Sequence, residues 1–402
     1  MPTKPGSAGL FRFRTEFAGQ AWDTPVQMSS SPTSEPYRVL VIGGYGFFGQ
    51  RLVERLSLQA GLHVIVAGRS AEQAASLVDR LRPQAAATLG AIALDAHSDE
   101  LASWLDGLRV RAVVLASGPF QGLDYGVALA CAAAGVHYID LADGRDFVAG
   151  IAAVDVAATA AGVCALSGAS TVPALSCAAV DELTRGWQRV DAIDMGISPG
   201  NRTERGLSTI RAVLSYCGRP IRHVDGATVT GWLRTRLRRY PAPVGWRALS
   251  PCDIPDLALL PARYAGRPRV RFSAGLELLT LHLGTNAMAL AARLGLVRDW
   301  AKHAVSLKRW SDRFVACGTD AGAMHVSVRG LDPEGRRARR TWTLLATGGD
   351  GPWVPTLAAA ALVRKLAAGE PPAIGARPCA GELTLEDFAR ETSGRQITWA
   401  VQ

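Results

Sequence analysis

A short glycine-rich segment has the residue types and spacing of a site for a phosphate-containing ligand. Gly44, Gly46 and Gly49 form a G-x-G-x-x-G pattern directly after the apolar run 38–42. Glycines at these positions let the backbone turn tightly, approach a pyrophosphate closely and pack the next helix against a sheet. The amide groups at the start of that helix then face the phosphates. The candidate dinucleotide site also includes the three aromatic residues of this loop, Tyr45, Phe47 and Phe48.

A second apolar run, 63–68, ends in a pair of residues that bears on the type of dinucleotide. Sites for NAD carry an Asp or Glu about 20 residues past the glycines, where it binds the ribose hydroxyls. Arg69 and Ser70 stand there instead. A guanidinium and a hydroxyl donate hydrogen bonds to a phosphate, so the pair predicts NADP (NADPH) over NAD. In the alternative interpretation, which is compatible with the first, Ser70 caps a helix and Arg69 is a solvated surface charge.

The elements around these residues alternate between strands and helices. Apolar residues recur at helical spacing after the glycines as far as Gly61. Further apolar runs at 90–95, 110–116 and 136–141 are separated by helical patterns. Strands joined by helices of this length predict a Rossmann-type α/β fold, a doubly wound parallel sheet that binds ligands at the carboxyl ends of its strands.

Two of these strand ends carry further candidate contacts to the cofactor. Asp95 ends the third strand, where its carboxylate could accept from an adenine amino group or, with equal weight, cap the next helix. The fourth strand ends in small residues that permit a close approach and a phenylalanine that offers an apolar wall. A simple strand-to-helix turn is the alternative for these four residues, which are Ser117, Gly118, Pro119 and Phe120.

Beyond about residue 165 the pattern changes from parallel to antiparallel signals. Two apolar runs, 324–331 and 341–346, flank Asp332-Pro333-Glu334-Gly335, whose residues suit a type I turn. A hairpin of this kind predicts a second, α+β domain that contains a largely antiparallel sheet. We expect a flexible leader at 1–36, an NADP-binding domain at 37–166, a substrate and dimerisation domain at 167–350, an apolar helical segment at 351–372 that docks on another surface, and a C-terminal extension at 373–402.

Composition restricts the classes of protein to which the chain can belong. Its 402 residues are 48% hydrophobic and 20% charged, which indicates a globular protein with room for two or three domains. The net charge of +9 favours anionic ligands or a membrane surface. Much of the excess lies in two basic stretches, 234–247 and 336–340, which we interpret as solvated faces rather than a nucleic-acid groove. Met28 lies close enough to the first strand to be a natural start.

Cysteine usage and hydropathy add two expectations. The seven cysteines are scattered without a C-x-x-C pair, which argues against disulfides or a metal site and favours a cytoplasmic protein. The longest apolar segment, 276–297, is interrupted by Glu277, His282, Asn286 and Arg293. It therefore predicts an amphipathic helix and no membrane span, although contact with a membrane surface stays open.

Taken together, these segments resemble the saccharopine dehydrogenase-like family of NAD(P)-binding oxidoreductases. The resemblance implies a Rossmann domain, an inserted α+β domain and a returning helix, which we assign to 354–368. It also implies that Gly118, Pro119 and Phe120 lie near the cofactor, with substrate between the domains. Family members include saccharopine dehydrogenases, polyamine-forming dehydrogenases and lipid-pathway enoyl reductases, so the substrate does not carry over. The segments that carry the resemblance are 41–49, 66–70, 117–120, 135–141 and 348–352.

The leading hypothesis is an NADP-dependent oxidoreductase that acts on a C=N or C=C bond of a small molecule. Arg202 and Arg205 precede a helical pattern at 207–217 and could bind an anionic group of that substrate, with exposed loop arginines as the equal alternative. The other hypotheses are a lipid-associated or carrier-linked enoyl reductase, whose segment 276–297 touches a membrane or an acyl chain, and a non-catalytic NADP-binding sensor or scaffold. We also expect a homodimer.

The proton donor for such a reaction is not assigned. A donor needs geometry before pKa, and spacing along the chain provides neither. The titratable candidates of the second domain are Tyr240, Tyr264, His282 and His325.

Overall fold

The computed structural model describes residues 35–98 and 100–402. Apart from its last two residues, the expected leader lies outside the described residues, as does Met28. The strands are β1 (Tyr37–Ile42), β2 (Leu62–Gly68), β3 (Thr88–Ala93), β4 (Ala112–Leu115), β5 (His137–Asp140), β6 (Cys164–Ser167), β7 (Arg189–Ser198), β8 (Pro220–Arg222), β9 (Thr228–Thr230), β10 (Arg236–Arg239), β11 (Trp246–Pro251), β12 (Arg269–Ala274), β13 (Gly322–Leu331), β14 (Arg337–Ala346), β15 (Gly375–Pro378) and β16 (Ile397–Val401). The helices are α1 (Gly49–Ser57), α2 (Ala71–Leu81), α3 (Leu101–Leu108), α4 (Gly126–Ala133), α5 (Arg145–Ala149), α6 (Asp155–Ala160), α7 (Ser176–Leu183), α8 (Leu207–Ser215), α9 (Asp256–Arg263), α10 (Leu279–Arg293), α11 (Ala304–Asp312), α12 (Leu357–Ala367) and α13 (Leu385–Glu391).

A seven-stranded parallel sheet forms the first half of the fold, with the order β15-β6-β5-β4-β1-β2-β3. Helices cover both of its faces, which is why its central strands are continuous apolar runs rather than alternating ones. The strand order reverses between β1 and β4, so a crevice opens there at the carboxyl ends of the strands. The predicted Rossmann-type sheet is confirmed.

A mixed seven-stranded sheet forms the second half, with the order β10-β11-β12-β7-β13-β14-β16. All of its strand pairs are antiparallel except β12 with β7. The predicted hairpin is formed by β13 and β14, and the amide of Gly335 closes its turn on the carbonyl oxygen of Asp332 at 3.0 Å. The predicted α+β half with a largely antiparallel sheet is confirmed.

The end of the chain returns to both sheets. A 3-10 segment at Gly351–Thr356 leads into α12, which contacts α1 and α13. Most of α12 is buried, as expected for a helix whose only charged residues, Arg364 and Lys365, lie in its last turn. The expected C-terminal extension supplies β15 beside β6 and β16 beside β14, so it adds one strand to each sheet.

The apolar segment that we predicted as an amphipathic helix is α10, with 15 residues. None of the described helices is long and apolar enough to cross a bilayer.

A buried carboxylate joins α1, the helix that follows the glycine loop, to the C-terminal helices. Glu391 of α13 is 2% exposed and accepts from Arg55 Nε of α1 at 3.0 Å and from Arg364 Nε of α12 at 2.7 Å. The other guanidinium nitrogens of Arg55 donate to the carbonyl oxygens of Arg390 and Ser393. Because two cations converge on one buried acid, loss of this acid would leave both of them uncompensated.

We predict that Glu391→Ala lowers the free energy of unfolding by about 3 kcal/mol, as measured by urea denaturation. The matched control is Glu386→Ala in the same helix, where the side chain is 75% exposed and pairs with Arg390 at the surface. Its loss should stay below about 1 kcal/mol. Equal losses for the two variants would contradict the role given to Glu391.

Candidate active site

The glycine loop between β1 and α1 is shaped by backbone approaches that exclude side chains. A Cβ on Gly49 would lie 2.0 Å from the carbonyl oxygen of Gly43. Gly43 itself has a φ of +75°, and a Cβ there would lie 2.8 Å from the Cβ of Ser117 at the end of β4. A Cβ on Gly44 would lie 2.9 Å from the carbonyl oxygen of Val41. The loop therefore brings the start of α1 directly over the ends of β1 and β4.

The same loop leaves one side open toward the crevice. Within 4 Å, a Cβ on Gly46 would meet the carbonyl oxygen of Gly43, at 3.0 Å, and no other described atom outside its neighbours. No described side chain caps the N-terminus of α1, and its first turn carries no acid. Although the amide of Gln50 donates to the carbonyl oxygen of Gly46 at 2.9 Å, the positive end of the helix is thus open to an anion. Open space beside Gly46 and uncapped amides fit the pyrophosphate of a dinucleotide.

The end of β2 carries the second half of the candidate cofactor site. The ring of Tyr45 covers Gly68, where a Cβ would lie 2.4 Å from its Cε1. The Tyr45 hydroxyl accepts from the amide of Ser70 at 2.9 Å, and Ser70 Oγ caps α2 by accepting from the amide of Gln73 at 3.2 Å. Arg69 is exposed and makes no ion pair or hydrogen bond within the described part of the chain. The capping role of Ser70 is confirmed, and the guanidinium beside it is free to bind a phosphate.

Two other strand ends differ in detail from the sequence-based expectation. Asp95 lies two residues past β3, is exposed, and accepts from the amide of His97 at 3.1 Å. Since α3 begins only at Leu101 after Glu100, the alternative role of Asp95 as its cap is wrong. Phe120 is 4% exposed and packs on Phe147, so it offers no apolar wall. The Gly118-Pro119 peptide bond before it is cis.

Asp140, the last residue of β5, connects the ends of β5 and β6 through hydrogen bonds. Its Oδ1 accepts from the amide groups of Gly168 and Ala142 at 2.8 and 2.9 Å, and from Ser167 Oγ at 3.0 Å. Burial nevertheless raises its pKa to about 6, because desolvation of the charged form outweighs these bonds. This carboxyl has a structural role, as it fixes the turn that leads to the cleft described next.

A cleft of about 970 Å³ runs from the glycine loop to the inner face of the mixed sheet. Phe47 and Phe48 of the loop line it, together with Gln121 and Asp143, which follow β4 and β5. Apolar side chains dominate the rest of its lining. They come from the mixed sheet (Ile197, Phe272, Met324, Leu344) and from α8, α10 and α11 (Ile210, Val213, Leu214, Leu281, Met288, Leu307, Trp310).

Most of the charges around this cleft are already compensated by the protein. Arg145 pairs with Asp253, and Lys308 Nζ lies 2.7 Å from Asp312. Glu204 pairs with Arg51 of α1 at 2.7 Å. The cleft therefore presents a mainly apolar surface with little free charge to an occupant.

The two arginines predicted for substrate binding differ in position. Arg205 lines the cleft, donates to the carbonyl oxygen of Asn201 at 2.9 Å, and has a pKa lowered by burial. Arg202 donates to the carbonyl oxygen of Ala316 at 3.2 Å and is not part of the described lining. The loop that holds them packs on the glycine loop, because a Cβ on Gly206 would lie 2.8 Å from the ring of Phe47. The spacing of the two arginines along the chain could not show that Arg205 lines the cleft and Arg202 does not.

None of the four titratable candidates of the second half belongs to the described lining of the cleft. Tyr240 and His325 bond to each other at 2.8 Å, and His282 Nε2 lies 3.0 Å from Ser250 Oγ within the fold. Tyr264 donates to Asp181 at 2.6 Å. Burial lowers the pKa of His282 to about 4, which keeps it neutral at physiological pH.

Asp143 is a cleft-lining acid that the sequence analysis missed. It lies three residues past the end of β5, and Gln121 Nε2 donates to its Oδ1 at 3.4 Å. Burial raises its pKa above the ordinary value of 3.8. The rule that drew attention to Asp95, an acid just past a strand end, could also have found it.

Comparison with known proteins agrees with this geometry. Residues 39–166 match the family model of the saccharopine dehydrogenase NADP binding domain. These residues therefore form an NADP-binding domain similar to that of saccharopine dehydrogenase, and the chain is an oxidoreductase. The match confirms three predictions: the resemblance to saccharopine dehydrogenase-like proteins, NADP as the cofactor, and oxidoreductase activity. No curated protein matches the sequence.

Solved structures resemble this oxidoreductase in fold. Apo histidine-tagged saccharopine dehydrogenase (L-Glu forming) from Saccharomyces cerevisiae is 12% identical, with 91% of this chain and all of that chain covered at a TM-score of 0.61. An amine dehydrogenase from Mycobacterium smegmatis is 14% identical, with 85% and 94% of the two chains covered at a TM-score of 0.45. At such identities, the yeast structure supports the fold and leaves the substrate open.

Proposed function

We propose that this oxidoreductase uses NADPH to reduce a C=C or C=N bond in a molecule with a long apolar body. The observation that carries the proposal is the cleft, which starts at the glycine loop and continues along apolar side chains of the mixed sheet. A small anionic substrate, the other form of the hypothesis, would find Arg205 beside it but little else to bind. The apolar lining thus favours the lipid-associated or carrier-linked enoyl reductase among the alternatives.

The residues proposed to hold the cofactor lie at the ends of four strands, β1 to β4. Gly44, Gly46 and Gly49, with the first amide groups of α1, bind the pyrophosphate. Arg69 and the Ser70 hydroxyl, which keeps its own hydrogen to donate, bind the 2′-phosphate. Tyr45 and Asp95 border the adenosine end, and Phe47, Phe48 and the turn Ser117-Gly118-Pro119 border the rest. When bound, NADPH supplies the hydride.

Reduction also needs a proton, and we propose Asp143 as its donor. The side chain lies at the strand-end part of the cleft and has no ion-pair partner among the described residues. Its raised pKa lets the carboxyl keep a proton at a higher pH than an ordinary aspartate does. Gln121 orients it through a hydrogen bond. Hydride added to one atom of the double bond and a proton from Asp143 to the other would complete the reduction.

For the cofactor, we predict that Arg69→Asp weakens NADPH binding by about 10- to 100-fold, since a charge-assisted hydrogen bond is lost. NADH binding should be unchanged or tighter. Arg82→Asp makes the same charge change at the far end of α2, where the side chain is 68% exposed, and should alter neither affinity. The measurement is titration of nicotinamide fluorescence. An unchanged preference in Arg69→Asp would refute the 2′-phosphate site.

For the proton donor, we predict that kcat for reduction is constant at low pH and falls as pH rises through the raised pKa of Asp143, because only the protonated form can donate. Asp143→Asn should lower kcat by about 100-fold and remove this pH dependence without changing the Kd of NADPH. Asp146→Asn, which changes an exposed acid of the same cleft, is the control. A native pH profile in Asp143→Asn would rule Asp143 out.

For the substrate, we predict that kcat/KM for a homologous series of 2-enoyl thioesters or imines increases with chain length. Each buried methylene contributes about 0.8 kcal/mol, or about a fourfold gain, until the cleft is filled. Met288→Lys, which puts a charge into the cleft wall, should flatten this series. A short amino diacid imine that outperforms every long apolar substrate would contradict the proposal. Tight NADPH binding with no turnover over the panel would favour the sensor or scaffold.

A further inference from the structure

One face of α10 exposes a continuous apolar stripe to solvent. Leu279, Leu283, Leu290 and Leu294 follow one another at intervals of four, seven and four residues, which places them on one side of the helix. Their exposed fractions are 54%, 51%, 49% and 65%. Ala287 fills the gap between them and is also exposed. A solvent-exposed row of four leucines indicates a surface that binds a partner.

The opposite face of the same helix belongs to the cleft. Leu281, Thr285 and Met288 line it, and Ala289 is fully buried beside them. The helix is therefore a single wall whose inner side faces the cleft and whose outer side exposes the leucine stripe. Whatever covers the stripe lies one helix diameter from the cleft.

The segment 279–314, which comprises α10, α11 and their connection, carries an excess of positive charge. Of its two acids, Asp312 is paired with Lys308, and Asp299 accepts from the amide of Ala301. A further apolar side chain of the segment, Leu296, is 75% exposed. The segment carries six cations against these two acids, namely Arg293, Arg298, Lys302, Lys308, Arg309 and Arg313.

We propose that this segment docks on an anionic lipid surface, with the leucine stripe of α10 buried at the boundary between head groups and acyl chains. An apolar helix face bordered by Lys and Arg is suited to that position, because burial of the leucines and attraction to anionic lipid act together. A second copy of the chain fits less well, since symmetric pairing would set the same excess positive charge against itself. Docking would place the cleft wall against the source of an apolar substrate, and only this last step rests on the proposed function.

The test is co-sedimentation of the full chain with vesicles, without NADPH or substrate. Vesicles of phosphatidylcholine with about one-third phosphatidylglycerol should bind the protein, and vesicles of phosphatidylcholine alone should bind at least tenfold less. High salt should reduce the binding to anionic vesicles. Equal binding to both compositions, or no binding to either, overturns the proposal.

Variants locate the contact. Leu283→Glu with Leu290→Glu should lower binding to anionic vesicles at least tenfold and leave the thermal midpoint, NADPH affinity and turnover of a water-soluble short substrate unchanged. Leu58→Glu with Leu129→Glu changes two leucines that are 50% and 45% exposed elsewhere and should bind like the native chain. Native-like binding by the α10 variant contradicts the proposal. Dissociation of a dimer by that variant, without a change in vesicle binding, would assign the stripe to a second copy instead.

Discussion

The cofactor loop depends on the close contact between Gly49 and the carbonyl oxygen of Gly43, where a Cβ would lie at 2.0 Å. Because Gly49 has no side chain, α1 can start directly over the ends of β1 and β4. The N-terminus of the helix, which no side chain caps, then faces the crevice. Other contacts then hold this arrangement from both sides. Glu391 anchors α1 to the C-terminal helices, and Phe47 packs on Gly206 of the loop before α8. The cofactor loop is thus fixed to both halves of the fold.

The cleft that begins at this loop differs in character from the loop itself. Around the glycines and Arg69, the chain presents amide groups and a free guanidinium, as an anionic cofactor requires. Farther along, ion pairs such as Arg145 with Asp253 cancel the local charge, and the lining becomes apolar. A dinucleotide at the glycines and an occupant of the cleft would thus meet surfaces of different polarity. This difference supports the proposal of an apolar substrate.

Local patterns were sufficient to predict the parts of the fold that depend on neighbours in the chain. The glycine spacing, the strand-helix alternation and the turn at Asp332–Gly335 each follow from residues close together in sequence. The cleft lining could not be predicted in this way, because Ile197, Leu281 and Leu344 meet only through the pairing of distant strands and the packing of α10. Phe120 has the sequence context of a residue that lines a ligand site, yet it packs against Phe147 in the core. The strands β15 and β16 were missed for the same reason, since their partners are remote in sequence.

The central claim is that the glycine loop and the apolar cleft form one reaction site. Its most direct test is transfer of deuterium from NADPH, labelled at C4 on either face, to a long-chain 2-enoyl thioester or imine, followed by mass spectrometry of the product. We expect one deuterium per reduced molecule from one of the two labelled forms of NADPH. The transfer should be lost in Gly46→Val, because the valine side chain would fill the open side of the loop. Tight binding of NADPH without label in any apolar product, or undiminished transfer in Gly46→Val, would contradict it.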